Sequence, residues 1–171
     1  PANYEVRGSV LNDGIVTGSK NYISVTNLNI LQQKGKGINL SGGNIIIDNN
    51  TIEGQEGFGI WTESSNNSTV QNNIIDAVNG IGVYAWISNS VIRDNTVTNI
   101  GVFDKLGFNG TWNENGGSGM EISGDGNTIE YNRIRETNYN GIFWRGNSIL
   151  QYNFIKNVCL YKSDGGGIYT G

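Results

Sequence analysis

Histidine is absent from the 171-residue sequence, and cysteine occurs once, at Cys159. The first absence excludes histidine-based zinc sites and a Ser-His-Asp triad, and the second excludes an intramolecular disulfide. A cysteine nucleophile with no histidine beside it is disfavoured too, so Cys159 is expected to fill space in the core or between coils. Positive charge is scarce: the net charge is −4 and no Lys/Arg run occurs. That balance argues against a nucleic-acid partner and against an anionic membrane surface. No apolar run is long enough to span a bilayer. No Asp/Glu cluster has calcium-ligand spacing, so neither a metal nor a cofactor is expected. With one proline there is no Pro-rich linker, and residues 1–171 read as a single domain.

Glycine is abundant, with 26 residues, and many fall at regular places. Units open at Gly14 (GIVTGS), Gly37 (GINLSG), Gly59 (GIWTES), Gly82 (GVYAWI), Gly119 (GMEISG), Gly141 (GIFWRG) and Gly167 (GIYTG), at spacings of 23, 22, 23, 37, 22 and 26 residues. A second landmark keeps the same register. Asn50, Asn73, Asn95, Asn132 and Asn153 each stand two residues before Ile52, Ile75, Val97, Ile134 and Ile155, and three residues after Ile47, Val70, Ile92, Ile129 and Leu150. The earliest unit offers Val25, Leu28 and Ile30 in these slots, lacking only the asparagine. Helical repeats would need longer apolar stretches of period 3.6, whereas period 2 over short runs fits strands. Glycine is expected to take the bend into each strand and asparagine the tight turns. Each unit needs neighbours to bury its aliphatic residues, so the units should stack as parallel coils about 4.8 Å apart.

The recurring N-x-[IV] ladder and G-[IVM]-x-x strands resemble the right-handed parallel β-helix proteins, a superfamily that includes pectate lyases and other secreted polysaccharide-degrading enzymes. The resemblance implies a single-stranded right-handed solenoid of six to seven coils of roughly 22 residues. It further implies a polysaccharide or oligosaccharide partner and a secreted or cell-surface setting. The same solenoid serves in adhesins, tailspikes and filaments, so a non-catalytic module is the alternative from a different class. The histidine-containing motifs of polygalacturonases are absent, which disfavours that branch.

Two regions break the pattern. Ile100 to Ser118 exceeds the period by about 15 residues and should leave the solenoid as a loop. It carries Phe103, Asp104, Phe108, Trp112 and Glu114, which either pack back on the coil or wall a groove. The ends, Pro1–Asp13 and Gly171, show no capping helix; the chain reads as an excerpt of a longer solenoid, or as one that associates end to end with another segment.

Strand alternation nominates the functional residues. The residue after each opening glycine points inward and the next outward. One outward row is then Val16, Asn39, Trp61, Tyr84, Glu121, Phe143 and Tyr169, and the row beside it is Gly18, Ser41, Glu63, Trp86, Ser123 and Arg145. Aromatics in line form a surface for flat sugar faces, and rings beside Glu121 would desolvate it and suit it to act as a general acid. A strand face favours aromatics in any case, so burial under a covering loop is the competing reading. Asp164, in the run DGGGIYT, is the second carboxylate of interest; its glycines would equally mark a tight turn. The expected site is therefore Glu121 and Asp164 as an acid/base pair with Arg145 orienting the substrate, and Trp61, Glu63, Tyr84, Trp86, Trp112, Phe143 and Tyr169 as contacts. Glycoside hydrolysis is the first expectation. Lyase chemistry is the second, with Arg145 and Lys162 as its basic candidates.

Overall fold

A three-residue strand with one inward side chain cannot bury that side chain alone, so it must pair with the same strand one coil away. The computed structural model describes residues 11–101, 103 and 116–171. Its strands pair in parallel and form three sheets. Sheet A contains β1 (Ile15–Ser19), β4 (Lys36–Gly43), β7 (Phe58–Asn66), β10 (Ile81–Ser88), β13 (Met120–Ser123), β16 (Ile142–Arg145) and β19 (Ile168–Thr170). Sheet B contains β2 (Ser24–Thr26), β5 (Ile46–Asp48), β8 (Thr69–Gln71), β11 (Val91–Arg93), β14 (Thr128–Glu130) and β17 (Ile149–Gln151). Sheet C contains β3 (Asn29–Leu31), β6 (Thr51–Glu53), β9 (Ile74–Asp76), β12 (Thr96–Ile100), β15 (Arg133–Thr137) and β18 (Phe154–Lys156). The chain is thus an all-β parallel solenoid with coils of about 22 residues, as the repeat requires.

Each coil has three strands, where the pattern read from the sequence implied two. The second alternating run bends in its middle, at Asn27, Asn49, Asn72, Asp94, Tyr131 and Tyr152, whose φ values lie at 54–59°. These residues take the left-handed turn, not the asparagines of the N-x-[IV] motif one residue later. The motif asparagines are buried for another reason. Asn73 accepts from the Asn50 backbone N–H at 3.0 Å and from Asn50 Nδ2 at 3.0 Å, while its own Nδ2 donates to Asn95 Oδ1 at 2.9 Å and to the Ile47 carbonyl at 3.0 Å. Asn95, Asn132 and Asn153 continue the ladder with bonds of 3.0–3.1 Å. At its start Leu28, in the slot that lacks asparagine, donates its backbone N–H to Asn50 Oδ1 at 3.1 Å. The ladder satisfies backbone groups that the corner between sheets B and C would leave buried and unpaired.

The strand-opening glycines likewise have a different cause from the one expected. Gly59 and Gly82 have no left-handed φ, but successive coils approach too closely there for a side chain. A Cβ on Gly82 would lie 2.5 Å from the Gly119 carbonyl oxygen and 2.6 Å from Val97 Cγ1. Inside the coils three aliphatic columns run along the axis, one per sheet, through Ile38, Ile60, Val83, Met120 and Ile142; Ile47, Val70, Ile92 and Ile129; and Ile52, Ile75, Val97 and Ile134, all buried. Among the described residues no helix is long and apolar enough to cross a membrane.

The ladder makes a quantitative prediction. Asn73→Ala removes the partner of the Asn50 N–H and of the Ile47 carbonyl, so it should cost about 2–6 kcal/mol, at about 1–3 kcal/mol for each buried group left unpaired. Asn153→Ala, at the half-buried end of the ladder, should cost less. Equal midpoints for the two variants in urea denaturation would remove the ladder as the organising contact.

Candidate functional site

The outer face of sheet A carries the predicted row in register. Val16 pairs with Asn39, Asn39 with Trp61, Trp61 with Tyr84, Tyr84 with Glu121, Glu121 with Phe143 and Phe143 with Tyr169. In the adjacent row Ser41, Glu63, Trp86, Ser123 and Arg145 also align. Gly18 does not belong to it: a register shift after Val16 brings Ser19 opposite Ser41 instead. Trp112, Asp104, Phe108 and Glu114 lie outside the described residues. Phe103 is exposed and its backbone N–H donates to Asn79 Oδ1 at 3.1 Å.

Rings one coil apart stack on each other. Trp61 and Tyr84 lie face to face, with centroids 4.1 Å apart and planes 13° apart, and the Lys36 ammonium sits 4.4 Å from the Trp61 centroid. Phe58 meets Trp61 edge-on at 4.5 Å. Phe143 and Tyr169 stack at 5.9 Å. The stacking turns one face of each ring toward its neighbour. Trp86, 52% exposed in the second row, is the most open to solvent of the predicted contacts among the described residues.

Glu121 interrupts the rings and is 5% exposed. Arg145 reaches back from the next coil, with Nη1 3.6 Å from Glu121 Oε1 and its guanidinium 4.5 Å from the Phe143 centroid. That contact is an ion pair rather than a hydrogen bond, and it runs diagonally across one rung, since the register partner of Arg145 is Ser123 and that of Glu121 is Phe143.

Beside this pair the C-terminal coils enclose a cleft of about 620 Å³ lined by Tyr139, Phe143, Arg145, Lys162, Asp164 and Tyr169. Four of these, Phe143, Arg145, Asp164 and Tyr169, were nominated as site residues from the sequence. The segment that carries Lys162 and Asp164 leaves sheet C and folds back on residues 137–140. Cys159 N–H donates to the Tyr139 carbonyl at 2.8 Å, Leu160 N–H to the Thr137 carbonyl at 3.1 Å, and Gly166 N–H to Asn140 Oδ1 at 2.9 Å. Lys162 Nζ donates to the Gly116 carbonyl at 2.8 Å and stands 4.9 Å from the Tyr139 ring centroid. Gly165 has no left-handed φ. A Cβ there would lie 2.5 Å from Asn140 Oδ1 and 2.8 Å from Tyr139 Cε2, so close packing rather than a tight turn requires glycine in DGGG. Cys159 is half-buried under the same segment, where burial and the Asp164 charge push its thiol pKa up.

Trp61, Glu63, Tyr84 and Trp86 lie on the same face but toward the N-terminal coils, so the structure divides the predicted set into a stacked half and a cleft half. Tyr139 and Lys162 complete the cleft. From the sequence, Lys162 stood out only as a lyase candidate, and Tyr139 was missed. A signal for it existed: Gly35, Gly57, Gly80, Gly117 and Gly165 all stand two residues before a strand-opening glycine, and Tyr139 takes that place in its coil. Among the described residues no group of three or more Cys, Asp or Glu side chains is placed to hold a metal ion.

Two phenols here should make stability sensitive to alkali. Burial, then Glu121 and Glu63, raise the Tyr84 pKa above its ordinary 10.0 against an opposing effect of Arg145, and burial, then the hydrogen bond and charge of Asp164, raise that of Tyr139. A pKa raised on folding means the folded state favours the protonated phenol. Its contribution is complete below the unfolded value and is lost as pH rises through the folded one. Melting temperature should therefore fall more steeply above pH 10 in the wild type than in Tyr84→Phe, and parallel curves would contradict the assignment.

Comparison with known proteins places this geometry in a family. Searches of curated proteins and of solved structures gave no match. A family model described as a right handed beta helix region matches residues 3–125, well over half the chain. The matched stretch includes β1 to β13, with Asn50, Asn73 and Asn95 of the ladder, and the chain belongs to the right-handed β-helix family.

Proposed function

We propose that this chain binds a polysaccharide or oligosaccharide on the outer face of sheet A and hydrolyses it at the C-terminal cleft. The observation that carries the reading is the cleft itself, where Arg145, Lys162, Asp164, Tyr139, Phe143 and Tyr169 converge from three coils next to the buried Glu121. Concave sites with aromatic walls and a few convergent polar groups suit small and chain-like ligands. In the proposed reaction Glu121 donates a proton to the glycosidic oxygen as the C–O bond breaks. Asp164 takes a proton from the water whose oxygen forms the new bond to the anomeric carbon. For that step Arg145 leaves the Glu121 carboxylate to hold the sugar hydroxyls, and the desolvated Glu121 takes up the proton that it then donates. The strand of Glu121 lies two rungs from that of Tyr169, about 10 Å by sheet spacing. The reading requires the Glu121 and Asp164 carboxyls to stand about 6.5–9.5 Å apart, the separation at which an inverting pair admits a water.

Lyase chemistry is the second reading, favoured by Lys162 in the cleft wall. It needs a base to remove a proton, and the two nearest groups fit poorly. Lys162 already donates to the Gly116 carbonyl, and the raised pKa of Tyr139 keeps its phenol protonated near neutrality. Hydrolysis therefore stands first. A secreted or cell-surface location goes with an extended glycan substrate and belongs to the same proposal.

With a glycan that the wild type cleaves, Glu121→Gln and Asp164→Asn should each lower kcat by about 10²–10⁴-fold, the usual size of an acid–base contribution. Glycan affinity by calorimetry should stay within severalfold of wild type. Wild-type turnover in Glu121→Gln would exclude the pair. Binding across a glycan panel without product release would assign the face to a non-catalytic adhesin, spike or filament module.

A further inference from the structure

We propose that Tyr139 is a positioning residue for Asp164, a phenolic pedestal that holds the carboxylate at the wall of the cleft. The inference rests on the hydrolytic reading above and adds to it the device that aims one of its carboxylates. Its first support is positional. Gly57 N–H donates to Gly35 O, Gly117 N–H to Gly80 O and Tyr139 N–H to Gly117 O, so these residues occupy one row along the axis. At two other places in that row a side chain does not fit: a Cβ on Gly57 would collide with the Gly35 carbonyl oxygen, and one on Gly117 would lie 2.7 Å from Asn138 Cβ. Tyr139 alone places a large ring there, with only 7% of its surface exposed.

The second support is what the ring touches. The next coil makes room for it at Gly165, where even a methyl would strike Tyr139 Cε2. The segment that carries Asp164 is tied to the pedestal by Cys159 N–H on the Tyr139 carbonyl and by Gly166 N–H on Asn140 Oδ1. The Tyr139 ring and Asp164 line the same cleft, where the Asp164 carboxyl pushes the phenol pKa up, and the Lys162 ammonium stands 4.9 Å from the ring centroid. Asp164 follows Lys162 by two residues, in a segment with no strand of its own. Without the hydroxyl, nothing in sheet pairing fixes its carboxylate. With it, the carboxylate is held on a buried ring set in the solenoid wall. Misplacing a reacting group by about 1 Å costs about 10²-fold in rate, so such a support has a large effect for one oxygen atom.

The experiment has two arms. In the first, phenol ionisation is followed by ultraviolet absorbance in wild type and Asp164→Asn. The charged or titrating groups around the Tyr139 hydroxyl are Asp164, Lys162, Tyr169, Arg145 and Cys159. Loss of the Asp164 charge should move one tyrosine's midpoint to lower pH, and the same component should be missing in Tyr139→Phe. An unmoved midpoint overturns the contact whatever the substrate. In the second arm, on a glycan that the wild type cleaves, Tyr139→Phe should lower kcat by about tenfold to a hundredfold with KM within about twofold. It should add little further loss in an Asp164→Asn background. Full activity of Tyr139→Phe, or independent losses that multiply, overturns the positioning role. Absence of wild-type turnover on every glycan sinks the hydrolytic reading and the catalytic part of this proposal with it, an outcome distinct from an unmoved phenol midpoint.

Discussion

The whole molecule depends on one constraint, that successive coils stay one β-sheet spacing apart at every point of the turn. Inter-strand hydrogen bonds enforce it along the three sheets and run on into the turns, as from Ile74 N–H to the Asn50 carbonyl at 2.9 Å. They leave the N–H of each motif asparagine from Asn50 to Asn132 without a backbone partner. At the corner between sheets B and C the asparagine column supplies the partner instead, each side chain receiving a backbone N–H from the coil before and donating back to a carbonyl in that coil. At the start of sheet A, glycines let the backbones touch, and a single methyl there would collide with the next carbonyl. Asparagine and glycine thus keep the spacing by opposite means, since one fills a gap between backbones and the other removes a side chain that would open one.

That constraint determines the chemistry available on the surface. Residues about 22 positions apart become vertical neighbours, so outward side chains meet at distances set by the sheet and not by the loops. At one rung of separation, rings stack, as Trp61 does on Tyr84. Where a carboxylate enters the row it is closed in by its neighbours, and the cation that balances Glu121 comes from the following coil. Low exposure on one side and a half-exposed guanidinium on the other make this pair an asymmetric one, in which removing Arg145 affects a buried group and removing Glu121 affects a partly solvated one.

The cleft differs from the rest of the face because the chain departs from its period there. The segment between β18 and β19 folds back on residues 137–140, and its hydrogen bonds go to backbone and to Asn140 rather than to a strand partner. Side chains on such a segment need separate support, and Tyr139, Asn140 and Gly165 supply it through burial, hydrogen bonding and close approach. Stability and site geometry meet at these residues, because the same contacts that close the coil also place Asp164.

Periodicity alone determined the parallel solenoid, the identity of the inward columns and the vertical order from Trp61 through Tyr84, Glu121 and Phe143 to Tyr169, since alternation and a fixed repeat leave one register that buries the three aliphatic columns. It misplaced Gly18, because a bulge adds a residue without leaving a mark in the pattern, and it joined sheets B and C into one strand, because a left-handed corner costs asparagine little and tyrosine not enough to forbid it. What only the tertiary structure decided was where the rings face, how Arg145 reaches Glu121, and that Tyr139 and Lys162 share a cleft with Asp164. Those outcomes depend on side-chain direction and on a segment that breaks the repeat, and a repeat carries information only about the positions that obey it.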